Sequence, residues 1–128
     1  MKDFRRLKVW EKAHLLAVGV YRAPSRFPRQ EMFGLASQMR RAAASIPSNL
    51  AEGCGRSMDG ELGRFAEISM GSASELEYQL LLARDLGCIV GTEAKELSAD
   101  VVEVKRMLSG LFSHVRQSRA RTALAASG

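Results

Sequence analysis

Two cysteines, three prolines, two histidines and one tryptophan in 128 residues exclude several classes of protein at once. Cys54 and Cys88 are too few for a disulfide framework, and no Cys/His spacing resembles a metal site. A di-iron bundle would need two Glu-x-x-His pairs, and only Glu11 with His14 fits, because Leu111 stands three residues before His114. Gly53-Cys54-Gly55 lacks both the length and the lysine of a phosphate-binding loop. No serine, histidine and acid fall into a nucleophile pattern. The expectation is a chain with no metal, no cofactor and no enzymatic activity.

Long apolar runs are missing as well. The stretch Leu15–Tyr21 is short, is interrupted by Gly19 and follows Trp10, Glu11, Lys12 and His14, which suits neither a signal peptide nor a membrane span. This reads as a soluble protein of a reducing compartment, the cytoplasm, with no membrane partner.

What the chain does have is helix-forming apolar periodicity. At 14.0 kDa and 46% apolar residues it can bury one core and is too small for two. Val9, Trp10, Ala13, Leu16, Ala17, Val20 and Tyr21 recur at three-and-four spacing, predicting a first helix over about 7–22 that Pro24 stops. A second stripe runs through Met32, Leu35, Ala36, Met39, Ala42, Ala43, Ile46, Leu50 and Cys54, with Pro28 at its start. Pro47 lies inside that stripe, and a bend is expected at Ala43–Pro47. A third helix is predicted over about 59–86, closed by Gly87, along Leu62, Phe65, Ser69, Ser72, Ala73, Leu76, Leu80 and Ala83. A fourth starts at Thr92 as N-cap and continues through Leu97, Val101, Val104, Leu108, Leu111, Phe112 and Val115. Residues 1–116 are thus expected to form an all-α, antiparallel up-down-up-down four-helix bundle, with 117–128 as a flexible tail. That topology separates Cys54 from Cys88 by about 40 Å, too far for a disulfide.

Charge is distributed unevenly. Residues 1–56 hold eleven Lys/Arg and four Asp/Glu, whereas residues 57–109 hold five and ten, and the rest adds three arginines and no acid. Arg5, Arg6, Lys8, Lys12, Arg22, Arg26, Arg29, Arg40 and Arg41 are candidate phosphate contacts for RNA or DNA. With Trp10 and Tyr21 in the core phase, aromatic platforms for reading single-strand bases look scarce. On the back of the second helix, Arg41, Ser45, Ser48, Asn49 and Glu52 form a polar stripe, either solvated or a close helix–helix contact. On the third, Met70, Gly71, Tyr78, Leu81 and Leu82 point away from the Leu76 stripe and mark a self-association face. The functional expectation is a homo-oligomeric bundle that binds nucleic acid with low sequence specificity. The alternative is an adaptor for another protein, such as a nucleic-acid-processing enzyme, with no nucleic-acid contact of its own.

Three runs carry a resemblance: LKVWEKAHLLAVGVY, FPRQEMFGLASQMRRAAASIPSNLAEGCGR and FAEISMGSASELEYQLLLARDLG. They closely resemble the small four-helix-bundle proteins encoded in intervening sequences of bacterial 23S ribosomal RNA genes. The resemblance covers about residues 4–115 and is most specific over Gln38 to Gly53, at Gly71-Ser72 and at Glu75-Leu76-Glu77. It implies an antiparallel bundle assembled as a ring-like homopentamer. It also implies similarity in fold to the accessory subunit of diversity-generating retroelements, a basic pentamer that binds nucleic acid and a reverse transcriptase. It carries over no catalytic residue.

Overall fold

The computed structural model describes residues 3–23, 27–56 and 59–127. A single 3-10 turn, Phe4–Arg6, leads into α1 (Lys8–Arg22); α2 (Arg29–Met32) is one short turn; α3 (Leu35–Gly55), α4 (Asp59–Asp85) and α5 (Gly91–Ser127) are long. No strand occurs among the described residues. Pro24 and Arg26 lie outside them, as does the side chain of Met32.

Four helices close a ring of neighbours: α1 beside α3 and α5, and α4 beside α3 and α5. Their directions follow from which residues meet. Ser69 Oγ donates to the Ile46 carbonyl at 2.8 Å, and Ser72 Oγ to Ser45 Oγ at 2.9 Å, so α4 runs back along α3. Lys12 meets Asp100 at 3.1 Å, while Gly19 abuts Leu97, so α1 and α5 are also antiparallel. Arg40 near the start of α3 reaches the Tyr21 carbonyl at the end of α1. The arrangement is the up-down-up-down bundle that the short links require.

The apolar stripes meet inside. Val9, Ala13, Leu16 and Val20 of α1 join Met39, Ala43, Ile46 and Leu50 of α3, Ala73, Leu76 and Leu80 of α4, and Val101, Val104 and Leu108 of α5 in one buried cluster. Pro47 is buried inside α3, which stays helical on both sides of it. Its ring sits among small neighbours, since Ala43 is fully buried and Ala44 and Ala51 are partly so. Part of the serine stripe is spent inside the monomer: Ser45 faces Ser72 of α4 and accepts from Asn49 Nδ2 at 2.9 Å. Ser48 and Glu52 stay exposed.

Three boundaries differ from expectation. The predicted second helix is broken at Phe33-Gly34, where Gly34 adopts φ −98°, ψ −99°, and the long helix restarts at Leu35. Glycine in a helix interior costs about 1 kcal/mol relative to alanine, so the turn is cheap to break there. Helix α5 begins at Gly91, which places Thr92 inside the first turn and not at its cap. The segment expected as a flexible tail continues α5 as helix to Ser127, with its described side chains exposed. Its Ala, Arg and Leu content favours helix, and no Gly or Pro interrupts 117–127.

Helix α4 ends as the sequence predicts. Gly87 takes φ +74°, Cys88 N–H donates to the Ala83 carbonyl and Gly87 N–H to that of Arg84, a paired closure that needs a left-handed residue. Cys54 and Cys88 are both buried, one near the α3/α4 turn and the other past the far end of α4. No helix among the described residues is long and apolar enough to cross a membrane.

Glycines provide a packing test. A Cβ on Gly53 would lie 3.0 Å from Phe65 Cβ and 3.2 Å from the Leu62 Cα, whereas one on Gly110 meets nothing within 4 Å. Gly53→Ala is therefore expected to lower unfolding free energy by about 1–3 kcal/mol. Gly110→Ala should raise it by about 0.5–1 kcal/mol through helix propensity. Urea midpoints of the two variants moving in opposite directions would bear this out; a neutral Gly53→Ala would refute the close α3/α4 approach.

Candidate nucleic-acid interface

The basic residues singled out in the sequence do not form one patch. At 100° per residue, Trp10, His14, Ala17 and Tyr21 lie on the α3-facing flank of α1, and Lys8, Lys12, Leu15 and Arg22 lie on the other flank. Lys12 is committed to Asp100 of α5 at 3.1 Å. Arg5 bonds back to Asp3 at 3.4 Å. Arg29 stands on α2, and Arg6 ends the 3-10 turn. Among the described side chains, which do not include that of Glu31, no carboxylate lies within ion-pair distance of Arg6, Lys8, Arg22, Arg29, Arg40 or Arg41.

Arg40 and Arg41 do come together, at one end of the seam between α1 and α3. There they rim a shallow hollow of about 570 Å³ with Tyr21, Phe33, Ser37 and Ser48. Arg40 Nη2 donates to the Tyr21 carbonyl at 2.9 Å, and its guanidinium lies 5.5 Å from the centre of the Tyr21 ring. Its Nε is buried with no hydrogen-bond partner among the described residues. Arg40 is thus partly structural, holding Tyr21 in place, while Arg41 is exposed and donates to Gln38 Oε1.

Aromatic surface is less scarce than the helix phase suggests. Tyr21, assigned to the core stripe, is 49% exposed, and Phe33 is 92% exposed. Tyr21 sits at the edge of the α1 stripe, where Arg40 takes up its carbonyl and one ring face. Phe33 was hidden in an apparently continuous helix; the Gly34 beside it is the signal that could have revealed it. Further along the seam a second hollow of about 320 Å³ is lined by Phe4, Trp10, His14, Pro47 and Ala51. Trp10 is only half-buried there, stacked on His14 with ring centres 5.1 Å apart and planes within 4°.

The self-association face also needs redrawing. Tyr78 is 60% and Leu81 43% exposed, but Met70 turns onto the edge of the core and Leu82 is half-buried. Ile68 belongs to the exposed set instead. Glu67 and Glu75 are exposed on the same helix. Between α4 and α5, Lys105 meets Glu77 at 2.9 Å, which removes that acid from the outer face. On α5 the Glu103 carboxyl is held below its ordinary range by the hydrogen bond from Arg106, a surface pair distant in sequence from both hollows. No group of three or more potential metal-ligating side chains occurs among the described residues.

Comparison with known proteins places the chain. Its fold is similar to that of a crystallised protein of unknown function of the S23 ribosomal protein family from Bacteroides thetaiotaomicron. That alignment covers 81% of this chain and 97% of the other at 22% identity, with a TM-score of 0.74. Curated proteins give no sequence match. The model of the 23S rRNA-intervening sequence proteins matches residues 5–110, most of the bundle and all the residues that line the two hollows but Phe4. The chain belongs to the 23S rRNA-intervening sequence protein family.

Proposed function

We propose that this protein is a non-enzymatic, homo-oligomeric bundle that binds nucleic acid along the α1/α3 seam with low sequence specificity. The observation that carries this reading is the hollow rimmed by Arg40 and Arg41, in which two guanidinium groups stand beside exposed aromatic rings and no carboxylate is among the described lining residues. Such a site attracts phosphate without demanding a particular base. A binding role is also favoured over a catalytic one by the described lining of both hollows, among which no Asp, Glu or Cys stands. Self-assembly uses the outer face of α4, where exposed Ile68, Tyr78 and Leu81 stand near Glu67 and Glu75. The occupant of that face is a second copy, whose first 56 residues carry the opposite charge. A homopentamer is the form that the resemblance to ring-forming relatives suggests.

The test is a salt titration of fluorescence anisotropy with a generic labelled RNA. Affinity should fall linearly on a log–log plot, and Arg41→Ala should make the slope shallower by about 1. Absence of binding at the lowest salt would overturn the nucleic-acid reading in favour of a protein adaptor.

A further inference from the structure

The two hollows on the α1/α3 seam share Ala44 and Ser48, so they form one continuous trough. From Ser37 to Ala51 it follows α3 across fifteen residues, about 21 Å at the helical rise. Its floor is made of small groups, including Ala17, Ala44 and Pro47. Its ends are aromatic: Phe33 and Tyr21 at one, Phe4 and Trp10 at the other. Arg41 stands on the rim, and Arg40 arrives with its charge unneutralised by any carboxylate among the described residues.

We infer that this trough is a track for single-stranded nucleic acid, with unpaired bases stacked on Phe33 and Tyr21, the strand passing on toward Trp10, and the phosphates drawn to Arg41 and Arg40. This rests on the nucleic-acid reading above and narrows it to one class of strand. The physical argument is the accessibility of π-faces. In a duplex each base is covered by its neighbours above and below, so exposed aromatic rings find only sugar and phosphate. A single strand offers unstacked faces, and stacking on them tolerates any sequence. A ring as exposed as Phe33 is unremarkable alone, but several aromatics around one cationic trough with no acid among its described lining residues form a coherent surface. At the stacked spacing of about 3.4 Å the trough holds roughly six nucleotides.

The experiment uses the full chain with a labelled uridine oligomer of about a dozen nucleotides and a duplex of equal length, at one salt concentration. The single strand should bind roughly tenfold more tightly, and should quench the fluorescence of Trp10, the single tryptophan. Phe33→Ala should cost roughly tenfold for the single strand and leave the duplex within about twofold, whereas Arg41→Ala should weaken both. Because Phe33 is almost fully exposed, its removal leaves the core intact, which an unchanged circular-dichroism melt would verify. Equal affinity for both forms, insensitive to Phe33→Ala, would overturn the single-strand track while leaving general nucleic-acid binding in place. No binding of either form at low salt would remove both readings. A change of solution mass in Phe33→Ala, with RNA affinity unaltered, would show the trough filled by another copy and overturn the proposal.

Discussion

Placing glutamate at both Tyr78 and Leu81 is expected to reduce the mass measured by light scattering from a multiple of 14.0 kDa to that of a single chain. Both side chains project from α4 into solvent in the monomer, so their exchange removes nothing from the core. In an assembly that covers them, each carboxylate would lose its water without gaining a partner, at a cost of several kcal/mol in a closed interface. Glu75, one turn before Tyr78, adds like-charge repulsion. The helical circular-dichroism signal of the double variant should stay within a few per cent of the parent. Leu82 is unsuitable for this test because it is half-buried, and a carboxylate there would damage the monomer as well. A parent protein that already scatters as a monomer would overturn the self-association reading outright.

The largest effect on the monomer is expected at Leu76. This residue is fully buried on α4, in the cluster to which α1, α3, α4 and α5 all contribute. Truncation to alanine removes its burial and leaves a cavity that rigid helical neighbours cannot fill, for a loss of about 3 kcal/mol. For a chain of this size that corresponds to a fall in melting temperature of about 10 °C. Tyr78→Ala, two residues along the same helix but on its outer face, should change monomer stability by no more than about 0.5 kcal/mol. Urea unfolding with an unchanged m-value would distinguish the pair. A loss below about 1 kcal/mol at Leu76 would mean that the four stripes do not converge there.

Much of the bundle was legible because helix periodicity is a local property. Val9, Ala13, Leu16 and Val20, Ala36, Met39, Ala43, Ile46 and Leu50, Leu76 with Leu80, and Val101 with Val104 all recur at the spacing that puts them on one face, and all are buried. Gly87 announced the end of α4 because only a left-handed residue closes that turn, and its φ of +74° supplies it. The serine stripe of α3 was legible only as two alternatives, since a helix wheel places Ser45 opposite the core without saying whether α4 wraps round to meet it. Packing chose the contact, through Ser72.

The candidate interface was less legible, for the same physical reason. Charge counts show that the first 56 residues are basic, yet they do not say which flank of α1 faces α3 and which faces α5. Tertiary packing gave Lys12 to Asp100 and tied Arg40 to the Tyr21 carbonyl, leaving Arg41 as the clearest outward cation on the seam. It also brought the Phe33 ring, freed by the break at Gly34, to the same hollow as Tyr21. By itself the sequence determined that the chain forms helices, where their apolar faces lie and that its front is basic, because these depend on residues within a few turns of one another. The trough, the pairing of its cations and the exposure of its rings were decided only by the tertiary structure, because each depends on which helix flanks meet across the bundle.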